Sequence, residues 1–191
     1  SYKFINGIKY GVFFNKADPV FGLDYNYITH QNKLLLVNGF EWRTKKEQQV
    51  RLRWNLGKSF TLNTEGKWGE RSYNSAFFTN RSYAYTFNQI EPRVQYQYQG
   101  SWRLIVFGKR FQANNAPEWG TEKMKSQEVG VEGRWLQADK GVIAGTLAWV
   151  GIKYTGETNS SLSYDLLQGL LPGNNIKWNI NADRRVAAKV Q

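Results

Sequence analysis

The chain has 191 residues, no cysteine and a formal net charge of +11, which excludes a disulfide framework and any thiolate metal site. Such a charge ordinarily points to nucleic acid or an anionic membrane surface, although no basic run exceeds two residues, as at Lys45-Lys46 and Arg184-Arg185. Mean hydropathy is −0.60 and 16% of residues are aromatic, so the chain is polar on average yet too rich in rings to be disordered.

No apolar stretch is longer than Leu34–Val37, far short of the roughly 18 residues of a transmembrane helix. Alternation with period two runs through most of the sequence, and up to eleven strands follow from it. In chain order they are Tyr2–Phe14, Val20–Ile28, Lys33–Trp42, Gln48–Leu56, Phe60–Arg71, Ser82–Tyr98, Trp102–Ala113, Lys123–Gln137, Val142–Gly156, Asn174–Ala182 and one opening at Val186. No linker divides them, so residues 1–191 are expected to form one domain.

Three connections fit the same three-residue turn: Gly57-Lys58-Ser59, Gln99-Gly100-Ser101 and Asp183-Arg184-Arg185. Each brings apolar neighbours into register: Leu56 with Phe60, Tyr98 with Trp102, Ala182 with Val186. Carried outward, the registers pair Trp54 with Leu62, Tyr96 with Leu104 and Ile180 with Ala188, and set Arg51 opposite Glu65. Between the tight turns lie longer connections, Ser72–Arg81, Asn114–Glu122 and Glu157–Gly173. Short turns alternating with long loops, and strands long enough to cross a bilayer on a tilt, are the pattern of a transmembrane β-barrel.

The two faces of these strands differ sharply. One carries Arg51, Arg53, Glu65, Lys67, Glu91, Arg93, Glu128, Glu132, Arg134 and Lys177. The other carries Trp54, Leu62, Tyr96, Tyr98, Trp102, Leu104, Trp135 and Trp178. Large rings gather near the turns, as expected for a membrane–water interface rather than a soluble core. The first set is therefore expected to face a lumen and the second to face lipid, with Phe77, Phe78, Tyr83, Tyr85 and Phe87 toward the long-loop end. Two stretches resist the pattern. Pro92 lies within a strand, where only a bulge or a sheet edge accommodates it easily, and Val142–Tyr154 is apolar on both faces, as if packed against a plug, loop or partner.

Catalytic motifs are not found. His30 is the only histidine and is read as an exposed turn residue, with no nucleophile and carboxylate placed around it. Gly57-Lys58-Ser59 imitates the end of a phosphate-binding loop, but Leu52 stands where its earlier glycine belongs and no helix follows. The carboxylates stand among arginines and lysines, as charge pairs filling an interior do. Basic residues and rings lie on opposite strand faces, which a nucleic-acid stacking platform does not allow. The expectation is no enzyme activity, no cofactor, no metal and no nucleic-acid partner.

The segment SYDLLQGLLPGNNIKWNI (Ser163–Ile180), followed by DRRVA (Asp183–Ala187), resembles the C-terminal region of large, mostly uncharacterised outer-membrane proteins of Bacteroidota. NGFEWR (Asn38–Arg43) and VRLRWN (Val50–Asn55) resemble the same family. The resemblance implies an outer-membrane barrel at the end of a longer polypeptide and carries over no catalytic residues. The fold expected is thus all-β, an antiparallel meander transmembrane β-barrel of about 10–12 strands, incomplete in this fragment, since the chain opens on Ser1 and stops at Lys189-Val190-Gln191 in mid-strand. An intact mass of 22.2 kDa for the purified subunit would overturn the fragment reading. The function expected is a membrane anchor or subunit of a larger assembly in the bacterial outer membrane, in contact with outer-membrane lipid and with other outer-membrane or periplasmic proteins. A diffusion channel with a basic, anion-favouring lumen and a soluble ligand-binding barrel are the alternatives.

Overall fold

In the computed structural model, residues 2–37, 39–137 and 141–184 are described. Nine strands, one 3-10 turn and one short α-helix follow in order: β1 (Tyr2–Phe14), β2 (Phe21–Leu36), β3 (Gly39–Leu56), β4 (Phe60–Ser75), the 3-10 turn Thr79–Arg81, β5 (Tyr83–Tyr98), β6 (Trp102–Asn115), β7 (Lys123–Gln137), β8 (Gly141–Thr155), α1 (Ser161–Leu167) and β9 (Gly173–Arg184). Each strand pairs antiparallel with its sequence neighbour, so the chain is one meander sheet in the order β1 to β9. Among the described residues the sheet is not closed, and β1 and β9 are its edges.

Most of the expected strands appear within a few residues of their expected ends. Three of them become two, because Val20–Ile28, Lys33–Trp42 and Gln48–Leu56 are covered by the long strands β2 and β3. The intervening stretches, such as Thr29–Asn32 and Arg43–Glu47, are polar on both faces, so alternation vanishes there although the backbone ladder continues. His30, expected in a turn, is thereby a ladder residue of β2 paired with Gly7 and Lys45. The strand opening at Val186, the contacts Ala182–Val186 and Ile180–Ala188, and the end of the Asp183-Arg184-Arg185 turn lie outside the described residues. Asp183 and Arg184 themselves pair with β8, and β9 runs to Arg184.

The other two tight turns have the expected register, pairing Leu56 with Phe60 and Tyr98 with Trp102. In the second, Gln99 and Gly100 both take positive φ, 45° and 69°, the backbone that matches the twist of a hairpin. The Ser101 N–H closes it on the Tyr98 carbonyl at 3.1 Å. The β1–β2 connection is held differently: the Asp18 carboxylate accepts the backbone N–H groups of Val20 at 2.6 Å and Phe21 at 3.2 Å. Pro92 causes no bulge. The ladder to β6 lapses at Glu91 and Pro92 and resumes in the same register, with Ile90 opposite Arg110 and Arg93 opposite Phe107.

Burial reveals the curvature. The buried strand residues, among them Asn26, Glu47, Gln49, Phe87, Phe107, Met124 and Ile152, occupy one face by the registers. A flat single sheet would expose its faces alike, so this sheet curls with that face inside. Small residues permit close approach there. A Cβ at Gly130 would stand 2.5 Å from the Phe107 ring and 2.8 Å from the Ala148 Cβ.

Gly130→Val should therefore destabilise the sheet by about 1–3 kcal/mol, read from urea unfolding by tryptophan fluorescence. Gly133→Val, at a position with nothing within 4 Å of its would-be Cβ, should change the midpoint far less. The two backbone hydrogen bonds hold the Asp18 carboxyl below its ordinary pKa. Its contribution is present above the usual carboxylate range and lost as pH falls through the lowered value. Asp18→Ala should remove that part of the acid sensitivity, measured as the difference in unfolding midpoint between pH 6 and acid.

Candidate functional site

The two faces of the curl are the features that could act. On the outside, one ladder row crosses eight strands without a polar residue: Phe21, Trp54, Leu62, Val94, Val106, Val131, Leu147 and Trp178 are successive cross-strand partners. These side chains are far from buried, with Leu147 60% and Trp178 73% exposed. The eight residues singled out as apolar-facing in the sequence (Trp54, Leu62, Tyr96, Tyr98, Trp102, Leu104, Trp135 and Trp178) fall on this face.

At the short-turn end the rings pack on one another. Trp102 and Trp135 stack with centroids 5.4 Å apart, and Phe60 meets Tyr96 at 4.9 Å. Toward the other end the outward face changes character: beyond Val50, Ile90, Val106 and Trp149 come Gln48, Asn88, Arg110 and Lys153. The outer surface is thus an apolar band with polar extensions toward the long loops. Trp68 and Trp149 lie at the boundary. Strands of 12 to 18 residues exceed the band, which is why alternation in the sequence covers only part of each.

The inward face carries the other nine singled-out residues, Arg51, Arg53, Glu65, Lys67, Glu91, Arg93, Glu132, Arg134 and Lys177. Glu47, Glu65, Glu91, Glu128 and Glu132 of this face are each ion-paired, whereas Arg103, Lys109 and Arg134 make none of the ion pairs among the described residues. Glu65 is bound by Arg51 at 2.9 Å and Lys67 at 2.5 Å, and also accepts from the Gln49 amide. Arg93 reaches Glu91 at 2.7 Å and, across the intervening β6, Glu132 at 3.2 Å. Lys177 of β9 likewise spans β8 to meet Glu128 of β7 at 2.7 Å. Glu47, 4% exposed, pairs with Lys45 at 2.9 Å. Bridges that skip a strand need side chains that converge, as they do on the inside of a curve. Arg53 instead donates to the Asp18 carbonyl at 2.6 Å. A cleft of about 650 Å³ opens beside these groups, lined by Lys16, Asp24, Arg51, Arg53, Glu65 and Arg93.

At the long-loop end the same inward face turns apolar and is covered. Leu162, Leu166 and Leu167 of α1 pack with Tyr85, Phe87, Ala113, Met124, Val150 and Ile152, and the Tyr85 hydroxyl donates to Asp165 at 2.8 Å. Two sequence expectations are settled here. Val142–Tyr154 is apolar on both faces because Val150 and Ile152 meet α1 within while Leu147 and Trp149 point out. Tyr83, Tyr85 and Phe87 do lie toward the long-loop end, but inside the curl rather than on its outer rim; Phe77 and Phe78 are the exposed rings of the β4–β5 loop. The helix itself had a legible signal: the Ser160 side chain accepts the Ser163 N–H at 3.1 Å as an N-cap, and Leu162, Leu166 and Leu167 share one helical face.

The arrangement is a charged inward face with its apolar end covered by α1. Among the described residues no group of three or more His, Asp or Glu could hold a metal, and His30 stands in β2 with Lys45 as its β3 partner.

Leu162→Ala should cost about 2–5 kcal/mol of local stability, as deletion of a buried leucine does. Limited proteolysis should then cut the β8–β9 connection at least tenfold faster while cleavage at the short turns is unchanged. No protein-family model, no curated protein and no solved structure matches this chain.

Proposed function

We propose that the chain is a wall of an integral outer-membrane β-barrel, acting as a non-catalytic membrane anchor or subunit of a larger outer-membrane assembly. The observation that carries this reading is the unbroken apolar row on the outside of the curl, backed on the inside by a charged face on which Glu47, Glu65, Glu91, Glu128 and Glu132 are ion-paired. In water that row would forfeit about 25 cal/mol for each Å² of apolar surface left exposed; against lipid it is at home. The polar inside then supplies what a barrel interior needs. A soluble ligand-binding barrel calls for the opposite sense, with the apolar row inside.

An open anion channel fits less well than an anchor. Glu65, Glu91, Glu128 and Glu132 each hold a basic partner, and α1 lies across the inward face at the long-loop end. Lipid is the partner of the outward band. Outer-membrane or periplasmic proteins are the partners proposed for the loops, where Phe77, Trp119 and Tyr164 are exposed.

The absence of cysteine makes single-site spin labelling clean. After reconstitution into lipid vesicles, labels at Leu62 and Val106 should collide with oxygen and be shielded from an aqueous nickel chelate, whereas a label at Lys67 should show neither pattern. Equal access of the chelate to Val106 and Lys67, or a chain that stays monodisperse in water without detergent, would falsify the reading.

A further inference from the structure

Just beyond the apolar band, on the outward face of β6, β7 and β8, lies a cluster of cations without carboxylate partners. The last apolar outward row there is Val129, Trp149 and Ile176. The next row toward the long loops contains Arg110, opposite Gln127. The row after that sets Lys125 directly opposite Lys153, and the following one holds Lys123 opposite Thr155. None of the ion pairs among the described residues involves Arg110, Lys123, Lys125 or Lys153.

Two like charges directly across a ladder, with Cβ atoms about 5 Å apart, repel each other. At Arg51–Glu65 and Lys177–Glu128 a cation of the sheet meets a carboxylate; Lys125 and Lys153 face each other instead. The surface is also concave: Gly151 has no side chain, and the Trp149 ring leans over the gap, 2.8 Å from where a Cβ would stand. The resulting cleft of about 310 Å³ is lined by Arg110, Lys125, Trp149 and Lys153.

We infer that this cleft is a binding site for the phosphate group of an anionic lipid, with Lys125 and Lys153 as the paired donors, Arg110 below them and Trp149 against the upper acyl chain. The inference rests on the membrane-wall reading. Rows two residues apart are separated by about 6.7 Å along a strand, so Arg110 and the lysine pair lie about 7 and 13 Å beyond the last apolar row. Strand tilt shortens this height, and the headgroup region is about 5–8 Å deep on each side. At a tilt of about 35–45° the two heights become about 5 and 10 Å, so Arg110 lies at the depth of lipid phosphates and the lysine pair just above it, within reach of their flexible stems. In the corresponding outward stretch of β3 and β4 the cross-strand partner of Lys46 is Glu70, and the outward Lys33 lies over the Phe40 and Trp42 rings, so the opposed lysine pair has no counterpart there.

The test uses the full chain refolded in neutral detergent and then presented with phosphatidic acid, phosphatidylcholine or inorganic phosphate, with retained adducts counted by native mass spectrometry. Wild type should keep phosphatidic acid at least tenfold better than phosphatidylcholine. K125Q/K153Q should lose that preference, while K125R/K153R and K46Q should keep it. Equal retention by K125Q/K153Q, or equal retention of phosphatidylcholine, would overturn the site. Displacement of phosphatidic acid by equimolar inorganic phosphate would reduce it to a free-anion site and overturn the lipid assignment. No preference for phosphatidic acid in wild-type protein whose Val106 label reports lipid rejects the site alone; a Val106 label that reports water rejects the membrane reading beneath it.

Discussion

The constraint on which everything else depends is register. In a sheet the side-chain period is two, so slipping one strand by one residue would turn its apolar set inward and its charges outward. Here each ladder step places Trp54 on Leu62, Leu62 on Val94 and Val94 on Val106, and the same step places Arg51 on Glu65 behind them. Two independent forces therefore reward one alignment. Outward, apolar neighbours merge into one continuous surface; inward, charges find opposite partners. A slip between β3 and β4 would lose both at once.

The ion ladder acts as a specificity device as much as a source of stability. Partly exposed pairs contribute little individually, and replacing matched charges by apolar groups can be neutral or favourable. What the ladder supplies is a high cost for mispairing, because Glu47 and Gln49 are buried and would be stranded in any other alignment. The bridges that skip a strand, Arg93 to Glu132 and Lys177 to Glu128, tie the curvature to the same chemistry. Flattening the sheet would pull these partners apart.

Strand existence and pairing were legible in the sequence because turn chemistry and alternation agree at Gly57-Lys58-Ser59 and Gln99-Gly100-Ser101. Legibility failed where one of the two signals vanished. Around Thr29–Asn32 and Arg43–Glu47 both faces are polar, so a continuous ladder reads as an interruption and His30 as a turn residue. Tyr85 and Phe87 share the composition of an interfacial rim, and only the third dimension reveals that α1 covers them. The short helix carries an N-cap and a leucine spacing, but seven residues between two long strands make a weak periodic signal. The outward lysine pair was invisible for another reason: Lys125 and Lys153 are far apart in the chain, and opposition across a ladder appears only once register is known.

The odd number of described strands has a directional consequence. Successive strands of a meander reverse, so β1 and β9 run the same way, each starting at the long-loop end. Their free edges cannot meet in an antiparallel ladder, and neither can β9 of one copy meet β1 of another lying the same way up in a membrane. A cylinder built on this wall is therefore either sealed by one parallel seam or completed by an odd number of further strands. The polarity of any strand that pairs antiparallel with either edge is dictated by that edge.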